Sequence, residues 1–196
     1  MSIDALDFLA KLQKQRRREL ASALAHFLPP PGLQLPEALE AAIRNQLMIQ
    51  PILARSELAS RSSIVGIPSA DRLAIEFWYS QYGPDANWLM ETGASSGVVA
   101  LEVDPNLARY ALTHLISDPL TCQRTLHFEA NGKWQVLFEY VADLPPIQSS
   151  PGVRLHSGSS ILVPPSRTPS GVELVYQNPR ARLLPADWLR KERSIR

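Results

Sequence analysis

Cysteine is almost absent: Cys122 stands alone among 196 residues, which excludes an intramolecular disulfide and a cysteine-based zinc site and fits a reducing cytoplasm. Long apolar runs are missing too. No segment approaches the ~18 uninterrupted apolar residues that a membrane helix needs, so no membrane partner is expected. Basic residues are lacking where a secretory leader would carry them. The chain opens Met1-Ser-Ile-Asp4-Ala-Leu-Asp7, and a cytoplasmic location is expected. The histidines His26, His114, His127 and His156 include no pair at the i, i+4 spacing of a helical zinc site. What is present is a globular composition, 45% hydrophobic and 20% charged, with enough length for a real core.

The net charge of +1 hides a pattern. Residues 1–63 hold eight basic and six acidic side chains, 64–150 four and ten, and 151–196 eight and three. An acidic centre between basic flanks suits a metal-dependent enzyme on an anionic substrate, and nucleic-acid binders also carry basic patches. The Lys11–Arg18 segment can meet phosphates or serve as a solvated helix face.

Helical spacing runs from Ser2 through Leu28 and stops at Pro29-Pro30-Pro31-Gly32. Pro36 suits a first helical turn, and Glu37 to Met48 reads as a second amphipathic helix, with Pro51 breaking or kinking the chain up to about Ala59. Residues 1–62 are therefore expected to form a helical N-terminal region, and 63–196 an α+β domain. In that domain Ser69-Ala-Asp71 opens a helix carrying Leu73, Ile75, Phe77 and Trp78, which Gly83-Pro84 closes. Trp88–Met90, Val98–Val103, Thr125–Ala130, Trp134–Val141, Ser160–Val163 and Val172–Tyr176 read as strands. Pro105–Ile116 and Pro185–Arg190 read as helices. Asn131-Gly132 is a strong short-range hairpin signal between two of the strands. Helices alternating with hairpins argue for α+β with a mixed or antiparallel sheet.

The stretch Gly93–Pro105 holds the chemistry. Its apolar run, Val98–Leu101, delivers Glu102 and Asp104 to one face of a strand end, since side chains i and i+2 share a face. Two adjacent carboxylates invite a divalent cation. Equally, both acids can be exposed, with Asp104 capping the helix that Pro105 begins. Gly93-Ala-Ser95-Ser-Gly97 imitates a nucleophile elbow, but a β-branched run follows where that motif needs a helix. Glu91-x-Gly93-x-x-x-Gly97 imitates a dinucleotide loop, yet the acids follow too soon to leave room for its helix.

In order and spacing, residues 65–190 resemble the N-terminal domain of bifunctional DNA primase/polymerases, of the archaeo-eukaryotic primase superfamily. The phrases that carry the likeness are Ala86-Asn87-Trp-Leu-Met-Glu-Thr92-Gly93 with Ser96-Gly97 through Glu102-Val-Asp104-Pro105; Asn131-Gly-Lys-Trp-Gln135-Val-Leu-Phe138; Gly152-Val through Val163-Pro164-Pro165-Ser166-Arg167 to Ser170-Gly171; and Asp187-Trp188-Leu189. The resemblance implies a primase/polymerase-like sheet with flanking helices and a nucleic-acid or nucleotide partner in DNA replication. It also implies two divalent ions, Mg²⁺ or Mn²⁺, held by paired acids and a third acid on a later strand.

Glu102 and Asp104 take the place of the paired acids, as catalytic residues and metal ligands. Gln135 stands where the family has a phosphate-facing histidine, and Arg154 follows Gly152 where the third acid is expected. Lys133, Gln135, Arg154, His156, Ser166 and Arg167 are the candidate nucleotide- or nucleic-acid-binding residues. The implied function is a primase/polymerase-like domain that binds nucleic acid or nucleotide with polymerisation lost or weakened. Two alternatives stay open: an active nucleotidyltransferase whose site Glu139 or Asp143 completes, and a non-catalytic interaction module docking a protein partner through residues 1–60.

Overall fold

The computed structural model describes residues 29–30, 32–52, 67–107, 120–142 and 152–186. The expected first helix, Ser2–Leu28, lies outside them, as do most of Pro105–Ile116 and the end of Pro185–Arg190. Within residues 34–196, helix α1 (Glu37–Arg44) leads to strand β1 (Ile49–Ile52), and helix α2 (Arg72–Tyr82) runs through a 3-10 turn to β2 (Asn87–Glu91). Then come β3 (Val98–Val103), the short helix α3 (Leu120–Arg124), β4 (His127–Ala130), β5 (Lys133–Glu139), β6 (Val153–His156), β7 (Ser160–Val163) and β8 (Leu184–Pro185). The architecture is α+β, as expected.

Local chemistry explains the helix ends. The Asp71 carboxylate accepts from the Ala74 N–H at 3.1 Å and caps α2, and Gly83, at φ 68°, ends it. In α1, Glu37 and Glu40 lie in the first turn and Arg44 in the last, matching the helix dipole. This helix is shorter than its periodicity suggests, because the chain turns at Asn45 and Gln46 to enter β1. Pro51 does not break a helix there. It sits in β1, which pairs with β2 alone among the strands, and an edge strand tolerates the missing N–H.

The strands form two sheets: β1-β2-β7 and β4-β5-β3-β6, with β8 alongside β5. All pairs are antiparallel except β5–β8. Both β2–β3 and β6–β7 cross from one sheet to the other, and the two crossings lie side by side. Thr92 accepts from the Gly158 N–H and donates to the Ser159 carbonyl, each at 2.8 Å. Gly93 has φ 115°, and a Cβ there would come within 2.9 Å of the Gly158 nitrogen, so only glycine permits this approach. The β4–β5 hairpin turns through Asn131 and Gly132 at φ 53° and 74°, the paired positive values of a type I′ turn.

Val98, Ala100 and Leu137 point from the second sheet into the larger core with Trp88, Met90, Phe128, Leu39 and Ile75. The opposite face carries Val99, Leu101, Val103, Val136 and Phe138 into a smaller core with Cys122 of α3. Both faces of β3 are thus covered, which explains why its sequence runs apolar rather than alternating. The expected strand Val172–Tyr176 is reduced to isolated bridges, Glu173 with Arg167 and Tyr176 with Phe128. Among the described residues no helix is long and apolar enough to cross a membrane.

Candidate functional site

The face of β3 that feeds the larger core ends in a polar row. Glu102 follows Val98 and Ala100 on that face, and the register sets it directly opposite Gln135 of β5 on one side and Arg154 of β6 on the other. Carboxylate, amide and guanidinium positions from three strands therefore lie abreast. Lys133 and His156, two residues along β5 and β6, flank the row on the same face.

Lys133 Nζ lies 2.7 Å from Glu102 Oε1, and Gln135 Nε2 donates to Oε2 at 3.0 Å. His156 Nε2 stands 3.6 Å from the same Oε2, too far for a good hydrogen bond. Arg154 is exposed, and among the described residues no ion pair or hydrogen bond holds its guanidinium. Asp104 is engaged elsewhere. Its carboxylate accepts from the Asn106 N–H at 2.9 Å, its carbonyl from Leu107 at 3.0 Å, and its own N–H donates to Gly152 at 2.7 Å. It caps the turn at residues 105–107, while the helix expected from Pro105 lies mostly outside the described residues. A depression of ≈ 270 Å³ opens over this cluster, lined by Glu102, Asp104, Leu107, Lys133, Gly152, Val153 and Arg154.

The charges of the cluster are linked. Partial burial opposes ionisation of Glu102, but the hydrogen bonds from Lys133 and Gln135 and the nearby charges outweigh it, so its pKa lies below the usual carboxylate value. Burial pushes His156 below the usual histidine value. Glu102 pulls it up, while Arg154 and Lys133 push it down, and the net is a depressed pKa with a neutral ring at pH 7. The Gln135 amide is oriented by Glu102, which leaves Oε1 buried without a partner, and His156 Nε2 is in the same position. Buried polar atoms without partners are uncommon and mark this row as unlike ordinary sheet packing.

Both shifts have the same sign for stability. Each group binds its proton more readily in the unfolded chain, so each stabilising contribution is complete above the unfolded pKa and lost as pH falls through the folded one. The histidine window opens below about 6.5, the carboxylate window below about 4.5. Thermal melting from pH 7.5 to 5 is expected to show a falling midpoint, and His156→Gln to flatten the upper part of that fall. An unchanged pH profile in the variant would contradict the assignment to His156.

The row does not fit a two-metal centre. It offers two carboxylates, one clasped by a lysine and the other turned into a cap, with an arginine across the strand. Among the described residues no group of three His, Cys, Asp or Glu side chains converges. Glu139 cannot complete the site, since it pairs with Val98, four residues from Glu102, or about 13 Å along the strand. Asp143 lies outside the described residues.

The structure thus brings Glu102, Asp104, Lys133, Gln135, Arg154 and His156 together. Ser166 and Arg167 are held elsewhere. Ser166 is fully buried and its hydroxyl accepts from the Trp88 N–H at 2.6 Å and donates to the Trp88 carbonyl at 3.1 Å. The Arg167 N–H donates to Asn87 Oδ1 at 2.7 Å. This is the end of β2 away from the Gly93 crossing, so the Pro-Pro-Ser loop braces the first sheet. The engagement of Lys133 with Glu102 is not readable from the sequence. Only the β3–β5 register reveals it, although the Asn131-Gly132 turn places Lys133 at the start of β5.

No curated protein matches this chain. The two sheets and the polar row lie within a stretch of the chain that one protein-family model matches. This chain belongs to that family, described as bifunctional DNA primase/polymerase, N-terminal, which matches residues 38–188.

Proposed function

We propose that this primase/polymerase-like domain binds nucleic acid or nucleotide in DNA replication, with template-directed polymerisation lost or strongly weakened. The observation that carries the reading is the cross-strand row itself. Glu102, at the position of a metal-binding acid, is neutralised from within by Lys133, with Gln135 and Arg154 opposite it. A general in-line transfer mechanism needs carboxylates free to hold divalent ions at the attacking oxygen and the triphosphate. With no third acid converging among the described residues, and with Asp104 serving as a cap, the developing charge is not compensated. Losses of such groups cost several kcal/mol each, or orders of magnitude in rate.

The test is incorporation of dNTPs or NTPs on a primed or unprimed template with Mg²⁺ or Mn²⁺, beside Glu102→Ala and Asp104→Ala. The expected result is background incorporation that neither substitution alters. Robust incorporation abolished by either change would instead establish an active nucleotidyltransferase with a rearranged site.

A further inference from the structure

The misfit between this row and a divalent ion points to another way of meeting phosphate. We propose that the site takes the phosphate groups of a nucleotide or strand directly, without a metal ion, through Arg154 and Lys133. Glu102 then serves as the resident anion that phosphate displaces from Lys133. The inference rests on the nucleotide- or nucleic-acid-binding reading given above.

The depression contains two acids and two bases, so its formal charge does not by itself favour either ligand sign. What decides is which charges are already used. Both oxygens of Glu102 accept hydrogen bonds, and Asp104 is tied to the Asn106 N–H. Arg154 is exposed and has no partner among the described residues. An incoming divalent cation would have to pull Lys133 off Glu102 and would still face the arginine. An incoming phosphate meets a guanidinium whose forked donors match its oxygens. The Lys133 ammonium also has three donors, one of which faces Glu102. His156 Nε2, buried and without a hydrogen bond, lies beside them. Lys133 is 46% exposed and Glu102 20%, so the lysine side of the pair is open to solvent and within reach of an incoming phosphate.

This arrangement predicts an inverted mutational signature. Binding of tripolyphosphate and of a fluorescent single-stranded oligonucleotide is measured at two salt concentrations, with EDTA or with Mg²⁺, and with tripolyphosphate competing against the oligonucleotide. Wild-type binding is expected to be unaffected by EDTA and not improved by Mg²⁺. Arg154→Gln is expected to weaken it about tenfold, Arg154→Lys to restore part of the loss, and Glu102→Gln to tighten it about threefold. Thermal melts of each variant separate these effects from misfolding. Competition assigns the site to a terminal polyphosphate, and its absence to a strand's phosphodiesters. Binding that requires Mg²⁺ and is lost in Glu102→Gln overturns metal-free capture while leaving nucleotide binding intact, as does binding indifferent to Arg154→Gln. No binding of either probe at low salt overturns both readings.

Discussion

Replacing Trp88 by alanine is expected to destabilise the domain by about 3–5 kcal/mol, a large part of the roughly 5–15 kcal/mol that holds a typical domain folded. Trp88 is completely buried at the centre of the three-stranded sheet, where its backbone lies opposite Pro51 of β1 and Val163 of β7. Its indole belongs to the core shared with Leu39 of α1, Ile75 of α2 and Phe128 of β4. Removing it therefore leaves a large void in the core to which both sheets and helices α1 and α2 contribute. Urea unfolding reads the loss as a lower midpoint. A shift worth less than about 1 kcal/mol would show that the first sheet lies outside the cooperative core. Ser166→Ala at the same strand acts through hydrogen bonding and should cost less, about 1–3 kcal/mol, by leaving the Trp88 backbone groups unpaired.

The second large effect is a gain. Arg154→Asp is expected to create a divalent-cation site in the row where Arg154 now stands across from Glu102. The register places residue 154 directly across from Glu102, so the substitution removes a cation without a partner among the described residues and adds a third carboxylate in one step. With Asp104 nearby on the lining of the same depression, the variant has three carboxylates where the described residues of the wild type bring two. Without metal, the new carboxylate repels Glu102, and the variant should melt below the wild type. Mn²⁺ should then raise its midpoint, with linkage worth about 2.7 kcal/mol at a metal concentration a hundredfold above the dissociation constant. Wild-type melting should not respond. A variant equally indifferent to Mn²⁺ would mean that Lys133 and the Asp104 cap, rather than Arg154, keep metal out.

Several elements are legible before folding because their causes are local. Asn131-Gly132 demands positive φ at both turn positions, and Asp71 and Gly83 mark the two ends of α2. The run Val98–Val103 reads as a buried strand because it is covered on both faces. Strand β6, by contrast, has no apolar run of its own. Val153 and Leu155 face the smaller core while Arg154 and His156 face the polar row, and apolar runs alone predict no strand there. Pro51 misleads because its meaning depends on whether a neighbouring strand needs its N–H, and on β1 none does. Val172–Tyr176 has the composition of a strand but finds no continuous partner.

The sequence by itself determined the fold class and the family resemblance. Those are matters of residue type and spacing, and they survive in one dimension. Only the tertiary structure decided that Gln135, Glu102 and Arg154 lie abreast, that Lys133 neutralises Glu102, and that Ser166 braces Trp88 rather than joining the row. The reason is register: a slip of one residue between β3 and its neighbours would turn one partner's side chains to the opposite face. That register is set by long-range pairing and by the crossing at Gly93 and Gly158, neither of which local sequence encodes.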